Sequence, residues 1–269
     1  MESKTVIITG GSSGIGKACA IRFAAEGANV VIASRRKEKL DKAINELKKY
    51  SSRVVPVVAD VSVYSDCERI ISETLTRFGS IDILINNAGI SMRGMFSDTN
   101  LDVLQQVMNT NFWGTVYCTH LALPHLLKSK GSLVGISSIA GRKGLPGRSA
   151  YSASKFAMEG FLETLRIENM KNGLHVLVVR PGFTSSGIRN AALGPNGVPQ
   201  IESPLNEQHL MSANLVADHI FKAVRYRKRG LILTIQGKLT VLLNKFFPSF
   251  VDRMVYQHMA KEPGSPFKP

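Results

Sequence analysis

Short runs rich in β-branched residues alternate with longer segments of helical spacing along almost the whole chain. Seven such runs occur, and they read TVIITG, NVVIASR, RVVPVVADV, IDILINNAG, GSLVGISS, LHVLVVRPG and GLILTI. Runs this apolar are typical of strands buried on both faces, as in parallel sheets covered by helices. The pattern therefore predicts an α/β fold of Rossmann type, with a doubly wound seven-stranded parallel sheet and helices on both faces.

The length and composition of the chain favour a single domain. The chain has 269 residues, 44% of them hydrophobic, which is enough for one substantial core. No Gly/Ser-rich linker interrupts the pattern, so residues 1–269 are expected to form a single dinucleotide-binding domain. No apolar run approaches the roughly 20 residues of a membrane span. The chain enters its first strand at once, without a signal peptide or anchor, which favours a cytoplasmic location, with peripheral membrane contact left open.

Cysteines and charge narrow the function classes. The three cysteines are odd in number and widely spaced, which argues against a disulfide framework and against a metal cluster. The formal charge of +14 predicts attraction to anions, whether nucleic acid, an anionic membrane or a phosphorylated cofactor. Because the basic residues are scattered over several helices without a nucleic-acid-binding motif, nucleic acid is not expected as a partner.

A glycine-rich turn, TGGSSGIGKA, follows the first predicted strand and opens a helix. Gly10 would permit the tight turn, Gly14 would let the backbone approach a pyrophosphate, and Gly16 would let the helix pack closely on the strand. Ser12 and Ser13 are expected to add hydroxyl donors. The context of strand, turn and helix favours a dinucleotide site over an ordinary turn.

The end of the second predicted strand carries arginines where many dinucleotide sites carry an acid. A carboxylate that holds the adenosine ribose is usual about 20 residues beyond the glycines, but this chain has Ser34, Arg35 and Arg36 there. A guanidinium can pair bidentately with a 2′-phosphate, which a carboxylate would repel. The sequence therefore predicts that Arg35 selects NADP(H), with Arg36 either assisting or beginning the next helix.

Tyr151 and Lys155, in the segment AYSASK, are four residues apart and would share one face of a helix. A free phenol has a pKa near 10, and a nearby ammonium would lower that pKa by favouring the phenolate. Ser138, which ends the fifth predicted strand, could hydrogen-bond a substrate oxygen. Asn111, within the preceding predicted helix, could hold a water behind Lys155.

These residues occur in the order and at the spacing of a known family. The chain resembles the short-chain dehydrogenase/reductase family over nearly its whole length: TGGSSGIG matches the family's glycine motif and NNAG its fourth-strand motif. The catalytic tetrad of the family is filled by Asn111, Ser138, Tyr151 and Lys155. A lone Tyr-x-x-x-Lys pair would be weak, whereas four motifs in order are specific. The resemblance implies a nicotinamide cofactor and hydride transfer.

The resemblance assigns a role to each member of the tetrad. Tyr151 would protonate the alkoxide in reduction, or deprotonate the alcohol in oxidation, while Ser138 orients and polarises the carbonyl. Lys155 would lower the pKa of the tyrosine and bond the nicotinamide ribose, and Asn111 would support a proton-relay water. No metal is expected. The implied cofactor-binding residues are Gly10, Ser12, Ser13, Gly14, Ile15, Gly16, Arg35, Arg36, Asp60, Val61, Asn87, Ala88, Gly89, Tyr151, Lys155, Pro181, Gly182 and Thr184.

The segment after the sixth predicted strand departs from the family pattern. The family often has P-G-x-[VI]-x-T, whereas PGFTSS places Thr184 at the aliphatic position and Ser186 at the threonine position. Backbone contact of Thr184 with the cofactor carboxamide is expected to survive. Residues 183–212 are irregular, lie where the family covers its substrate, and are expected to act as a lid. This stretch has no cluster of charge, which disfavours a highly charged substrate.

Residues 237–262 carry apolar side chains at helical spacing, punctuated by basic residues. The pattern predicts two short amphipathic helices broken at Pro248. These helices could pack over the substrate cleft, pair with another subunit or lie in a membrane interface, and the sequence leaves all three open.

The tail and the helix AYSASKFAMEGF resemble those of lipid- and steroid-handling family members, such as 11-beta-hydroxysteroid dehydrogenase-like and 3-ketosphinganine reductase-like enzymes. The resemblance implies NADPH-dependent reduction of a lipophilic ketone, with small carbonyl compounds or 3-oxoacyl thioesters as alternative substrates. A non-catalytic NADP(H)-binding redox sensor is the alternative of another class, and the intact tetrad argues against it. The family pairs helices that correspond to residues 100–128 and 150–172, so a homodimer or homotetramer is expected.

Overall fold

Seven parallel strands form the centre of the fold in a computed structural model that describes residues 1–184, 187–200 and 210–267. The strands are β1 (Thr5–Thr9), β2 (Asn29–Ser34), β3 (Val54–Val58), β4 (Ile83–Asn86), β5 (Ser132–Ile136), β6 (His175–Arg180) and β7 (Gly230–Ile232). Their order across the sheet is β3-β2-β1-β4-β5-β6-β7, and every neighbouring pair is parallel. The predicted doubly wound sheet is confirmed.

Helices cover both faces of this sheet. They are α1 (Gly14–Ala25), α2 (Lys37–Glu46), α3 (Tyr64–Phe78), α4 (Leu101–Met108), α5 (Gly114–Lys128), α6 (Ser149–Glu168), α7 (Ala213–Arg225), α8 (Ile235–Phe246) and α9 (Pro248–Ala260). Alternate strand residues face two separate cores, because successive side chains of a strand point to opposite faces. Val6 and Ile8 pack with α1, α2 and α7, whereas Ile7 packs with α3, α5 and α6.

The helix expected over residues 100–128 is interrupted in the structure. α4 ends at Met108 and α5 begins at Gly114, and Asn109–Trp113 form a turn of π-helix between them. Turns of π-helix are rare in proteins, and those that occur often lie at functional sites. The expectation of one continuous helix is therefore wrong at Asn111, which lies in the π turn with its side chain buried.

The chain passes from one side of β1 to the other between β3 and β4, so the strand order reverses beside β1. In open α/β sheets, ligands bind in the crevice outside the carboxyl ends of the strands at such a reversal. The glycine turn follows β1, and the NNAG segment follows β4. The fold therefore brings these two motifs to one edge of the sheet.

All three cysteines are buried and form no disulfide. Burial raises the pKa of the Cys19 thiol to about 12, which keeps it protonated and unreactive. Within the described ranges, no three His, Cys, Asp or Glu side chains form a group able to hold a metal ion. Over the same residues, none of the helices combines the length and hydropathy that spanning a bilayer requires.

Candidate active site

A cavity of about 510 Å³ runs along the carboxyl edge of the sheet. Its wall includes the sequence-predicted residues Gly10, Ser12, Ser13, Gly14, Ile15, Arg35, Arg36, Asp60, Val61, Asn87, Ala88, Gly89, Ser138, Tyr151, Lys155, Pro181, Gly182 and Thr184. Two further predicted residues, Gly16 and Asn111, are buried next to this wall without forming part of it. We call the part around residues 10–15 and Arg35 the glycine end, and the part around Ser138 and Tyr151 the tyrosine end.

The glycine turn takes a backbone shape that other residues resist. Gly10 and Gly14 have φ of 65° and 52°, in the left-handed region. A Cβ on Gly16 would lie 2.4 Å from the carbonyl oxygen of Gly10, so α1 can cross the end of β1 only with glycine there. The Asn87 side-chain amide donates to the carbonyl oxygens of Thr9 at 2.9 Å and Gly10 at 3.2 Å. Asn87 therefore holds the turn in place as well as lining the cavity.

The start of α1 suits an anion. Among the residues that the structure describes, Ser13 at the N-cap makes no side-chain cap hydrogen bond, and the first turn contains no acidic residue. Gly14 and Ile15, whose N–H groups are among the first of the helix, line the cavity. Helix N-termini of this kind bind phosphate through their unsatisfied N–H groups. The glycine end therefore fits the pyrophosphate of a dinucleotide cofactor.

Hydroxyl and guanidinium groups gather at the end of β2. The Ser34 hydroxyl lies 2.8 Å from that of Ser12, and Arg35 lines the cavity beside them. The guanidinium of Arg35 is half exposed and makes a long contact of 3.4 Å with the Asp60 carboxylate, which water weakens further. The other carboxylate oxygen of Asp60 accepts from the N–H and hydroxyl of Ser62 at 2.9 and 2.7 Å. This part of the glycine end therefore presents two hydroxyls and a guanidinium at the end of β2.

Tyr151 and Lys155 stand one turn apart near the start of α6, with Nζ of Lys155 5.8 Å from the centre of the Tyr151 ring. Burial raises the pKa of Tyr151 above its ordinary value, while the Ser138 hydroxyl and the guanidinium groups of Arg148 and Arg189 act in the opposite direction. The expectation of a lowered pKa for this phenol is therefore wrong in the structure. The reason is that burial penalises the phenolate more than the neighbouring groups stabilise it.

Lys155 is buried at the same end. Its ammonium donates to the carbonyl oxygen of Ile136 at 2.8 Å. Burial lowers the pKa of Lys155 to about 8, although the carboxylate of Glu159 acts against the decrease. A Cβ on Gly89 would be in ordinary van der Waals contact with this group, 3.5 Å from Nζ, and closer to Oδ1 of Asn111, at 3.2 Å. The charge of Lys155 is thus easily lost just above neutral pH.

Ser138 lies where β5 gives way to a short turn, Ile139–Gly141, and it caps that turn. Its hydroxyl oxygen accepts a hydrogen bond from the N–H of Ala140 at 3.1 Å. A serine hydroxyl that accepts one bond still has its proton to donate. Ser138 therefore offers a donor to a substrate oxygen.

The side chain of Asn111 connects three segments. Its Oδ1 accepts from the N–H of Ile90 at 2.8 Å, and its Nδ2 donates to the carbonyl oxygen of Ile90 and to the Ser154 hydroxyl, both at 2.9 Å. The main-chain carbonyl of Asn111 accepts from the Thr115 hydroxyl at 2.8 Å and has a second lone pair. The side chain of Asn111 therefore ties the π turn to α6, and its role in holding a water stays a prediction.

A buried carboxylate that the sequence did not single out lies one turn beyond Lys155. Glu159 accepts from the Ser137 hydroxyl at 2.7 Å and from two nitrogens of Arg180 at 2.8 and 2.7 Å. Arg142 approaches the same carboxylate at 2.6 Å. Glu159 thereby ties α6 to the ends of β5 and β6, which lead into the tyrosine end. Its spacing of four residues from Lys155 was the available signal.

The segment after α9 returns to the tyrosine end. Glu262 is buried, and one of its oxygens lies 3.2 Å from a guanidinium nitrogen of Arg93 and 3.5 Å from one of Arg148. Arg93 also donates to the carbonyl oxygen of Pro263 at 2.8 Å. Arg148 is three residues before Tyr151 and lines the cavity. No sequence motif linked these residues, because the contacts span 169 and 114 positions.

The stretch expected to cover the substrate is described in part, over residues 183–184, 187–200 and 210–212. Thr184 is buried and pairs with Met211 as an isolated bridge. Arg189 donates to the carbonyl oxygen of Thr184 at 2.8 Å and lines the cavity with Arg148. The tyrosine end is therefore more cationic than the composition of this stretch indicated. The contact considered for Ser186 lies outside the described residues.

The sequence of this chain is similar to a known protein family and to individual proteins of other organisms. Residues 4–194 match the short chain dehydrogenase family. A protein of Arabidopsis thaliana called 11-beta-hydroxysteroid dehydrogenase-like 4A is 45% identical over 195 residues, which are 72% of this chain and 65% of the relative. The match thus spans slightly less than two thirds of that protein. The rat dehydrogenase/reductase SDR family member 7B is 36% identical over 270 residues, 97% of this chain and 83% of the relative.

A solved structure agrees with these relatives. The crystal structure of a short-chain dehydrogenase/reductase of unknown function from Caenorhabditis elegans, with cofactor, superposes with a TM-score of 0.75. It is 29% identical, and the superposition covers 88% of this chain and 96% of the other. The structural resemblance therefore extends over most of the chain.

Proposed function

Because the chain belongs to the short-chain dehydrogenase/reductase family of oxidoreductases, which bind a nicotinamide cofactor, we propose that it reduces a lipophilic ketone to a secondary alcohol with NADPH. One observation carries the proposal. Ser138, Tyr151 and Lys155 meet at one end of a cavity whose other end is the glycine turn. A catalytic acid and a dinucleotide cradle in one cavity suit hydride transfer to a carbonyl.

Tyr151 is the proposed general acid. When bound, the cofactor supplies the hydride to the carbonyl carbon. The raised pKa of Tyr151 keeps its phenol protonated at neutral pH, so that the phenol can give its proton to the carbonyl oxygen as negative charge develops there. Ser138 donates its hydroxyl hydrogen bond to the same oxygen. The ammonium of Lys155 would stabilise the phenolate that remains after proton transfer, because opposite charges nearby favour the ionised form.

The preference for NADPH rests on the glycine end. Ser12, Ser34 and Arg35 provide two hydroxyls and a guanidinium at the end of β2, and Arg36 adds a second guanidinium to the same wall. The Asp60 carboxylate is held by Ser62 and is only in long contact with Arg35. A 2′-phosphate would pair with the arginine in a way that a ribose diol cannot.

The lipophilic substrate rests on the apolar residues at the tyrosine end and on the names of the relatives. Leu145, Phe183, Ile188, Leu193 and Pro199 line this part of the cavity. Large apolar side chains around a few polar groups are typical of sites for small lipophilic molecules. The relative from Arabidopsis is named for hydroxysteroids, a class of this kind. We also propose that a homodimer or homotetramer forms through the helices of residues 100–128 and 150–172, which are α4, α5 and α6.

The decisive experiment is a spectrophotometric assay of NADPH oxidation across ketones graded by chain length and ring count. We expect kcat/KM to rise with apolar size and to be about tenfold or more higher with NADPH than with NADH, the effect of one charge-assisted pair. The Tyr151→Phe variant sets the background. If no ketone exceeds that background although NADPH binds, the enzyme proposal is wrong and the redox-sensor alternative gains.

A further inference from the structure

Helices α8 and α9 leave several large apolar side chains exposed to solvent. On α8 these are Ile235, Leu239, Leu242 and Phe246, with a spacing that places them along one stripe, and α9 adds Phe250 and Met254. Each of the six is at least 46% exposed. In the described structure, α8 buries only Gly237, whereas α7 buries six residues. We call these six side chains the C-terminal apolar face. Apolar patches of this extent on a surface mark interaction sites.

The helices that carry the face contact residues of the cavity wall. Thr234 caps α8 through its hydroxyl, which accepts from the N–H of Gly237 at 3.1 Å. The Thr234 side chain also fills the space above Gly182, a residue of the cavity wall, where a Cβ would come within 2.5 Å of it. On α9, the ring of His258 lies 6.1 Å from that of Phe183, which lines the cavity. A partner that docks on these helices therefore lies close to the wall of the cavity.

The charges on α8 and α9 distinguish between two partners for the C-terminal apolar face, a second copy of this chain and a membrane. α8 contains Lys238 and Lys245 and no acidic residue, and α9 contains Arg253 and one acid, Asp252. That acid is paired with Lys143. Pairing of the face with a second copy would bring these cations together without a free carboxylate from either helix, which is unfavourable. A surface of anionic headgroups supplies the missing negative charge, and the chain as a whole carries +14.

We propose that the C-terminal apolar face docks on membranes that contain anionic phospholipid. α8 and α9 lie in the plane of the interface with their apolar stripe among the acyl chains and their lysines among the headgroups, as amphipathic helices do. The membrane then borders the cavity entrance, and a lipophilic compound can pass from the membrane into the cavity. The docking does not depend on the proposed reaction, and it is measured without substrate.

Flotation of the full-length protein with vesicles tests the docking. We expect the protein to float with vesicles of phosphatidylcholine mixed with phosphatidylserine, and to float far less with phosphatidylcholine alone. The double variant Leu242→Glu, Phe246→Glu should lose binding by about tenfold or more, since two large apolar groups no longer enter the bilayer. The double variant Lys238→Gln, Lys245→Gln should lose about fivefold for each charge removed.

Phe96→Glu is the matched control, because Phe96 is as exposed as Phe246, at 61% against 63%, and belongs to a different segment. This control should float like the unaltered protein. Equal flotation of all variants, or no flotation of the unaltered protein with anionic vesicles, would overturn the proposal. A third result would also overturn it: the protein does not bind vesicles, and the double variant Leu242→Glu, Phe246→Glu converts a dimer to a monomer in sedimentation velocity. The face would then be a subunit interface.

Discussion

The glycine end and the tyrosine end of the cavity are held by different kinds of contact. The glycine end depends on the backbone of a short segment, in which Gly10 and Gly14 have positive φ and Gly16 permits close packing, and on neutral hydrogen bonds from Asn87. The tyrosine end depends on side-chain ion pairs between distant segments, such as those of Glu262 with Arg93 and Arg148. The glycine turn is thus held by backbone shape and neutral hydrogen bonds, whereas the tyrosine end depends on ion pairs with elements more than a hundred residues away.

The same contrast applies to electrostatics. Arg35 at the glycine end is half exposed, so its charge is screened by water and its pairing is weak. At the tyrosine end, Arg93, Arg148 and Glu262 are all buried, as are Lys155 and Glu159. Buried charges interact strongly and leave a large penalty when a partner is removed. We therefore expect the tyrosine end to be the more sensitive of the two to single substitutions.

The largest effect is expected for Tyr151→Phe, which removes the acid and keeps the ring. Turnover should fall by roughly 10²- to 10⁴-fold, the contribution of general acid catalysis. NADPH binding, followed by fluorescence titration, should change little, because the phosphate contacts lie at the other end of the cavity. Tyr117→Phe, in a tyrosine outside the cavity wall, is the control and should keep full activity. Retained turnover in Tyr151→Phe would remove this residue from the mechanism.

The contrast also explains what the sequence can predict. The sheet and the glycine turn follow from local pattern, because strand periodicity and the glycine spacing are written in consecutive residues. The π turn at Asn109–Trp113 has no such pattern, since helical spacing continues through it. The direction of the pKa shift of Tyr151 depends on burial by the whole fold. The role of Glu262 depends on the tertiary fold, which brings the segment after α9 into contact with Arg93 and Arg148.

Glu262→Gln should be the next most damaging substitution. It leaves two buried guanidinium groups, those of Arg93 and Arg148, without their shared carboxylate. Breaking a buried ion pair by removing one partner costs about 3 kcal/mol of unfolding free energy, which urea denaturation can measure. In the folded variant, kcat/KM should fall while NADPH affinity is kept.

The exposed pair of Lys37 and Asp41 on α2 supplies the control for that experiment. Asp41→Asn removes a carboxylate of the same kind from a solvated contact, and we expect no measurable change in stability. If the two variants unfold at the same urea concentration as the unaltered protein, the tail does not stabilise the tyrosine end. A loss of NADPH affinity in Glu262→Gln would show instead that the two ends are coupled.

Arg35→Asp tests the glycine end and should have a smaller effect. The dissociation constant of NADPH should increase by roughly 10- to 100-fold, the value of lost charge-assisted hydrogen bonds, while that of NADH changes little or decreases. Arg36→Asp makes the same charge change one residue later, and a weaker effect there would identify Arg35 as the main phosphate contact. Equal changes for NADPH and NADH in Arg35→Asp would refute its role in cofactor selection.

The smallest expected effect is a pH dependence at the tyrosine end. Because the pKa of Lys155 is about 8 in the folded chain, its ammonium is present below pH 8 and is lost above it. The kcat/KM for reduction should therefore fall by about tenfold per pH unit above 8, since this profile reports groups of the free enzyme. Tyr151, whose pKa is raised, stays protonated there and cannot cause the fall.

Unfolding can be distinguished from this loss of activity, because the contribution of Lys155 to stability changes with pH in the opposite direction. The pKa of Lys155 is lower in the folded chain than in the unfolded chain, where it is near 10.5, so between these values the unfolded state binds more protons. Stability contributed by this group therefore rises as the pH increases from about 8, just where activity should fall. Activity that stays level to pH 9.5, with NADPH saturating, would mean that the ammonium of Lys155 does not act in catalysis. A fall in activity without any fall in thermal stability would assign the loss to the charge of Lys155 rather than to unfolding.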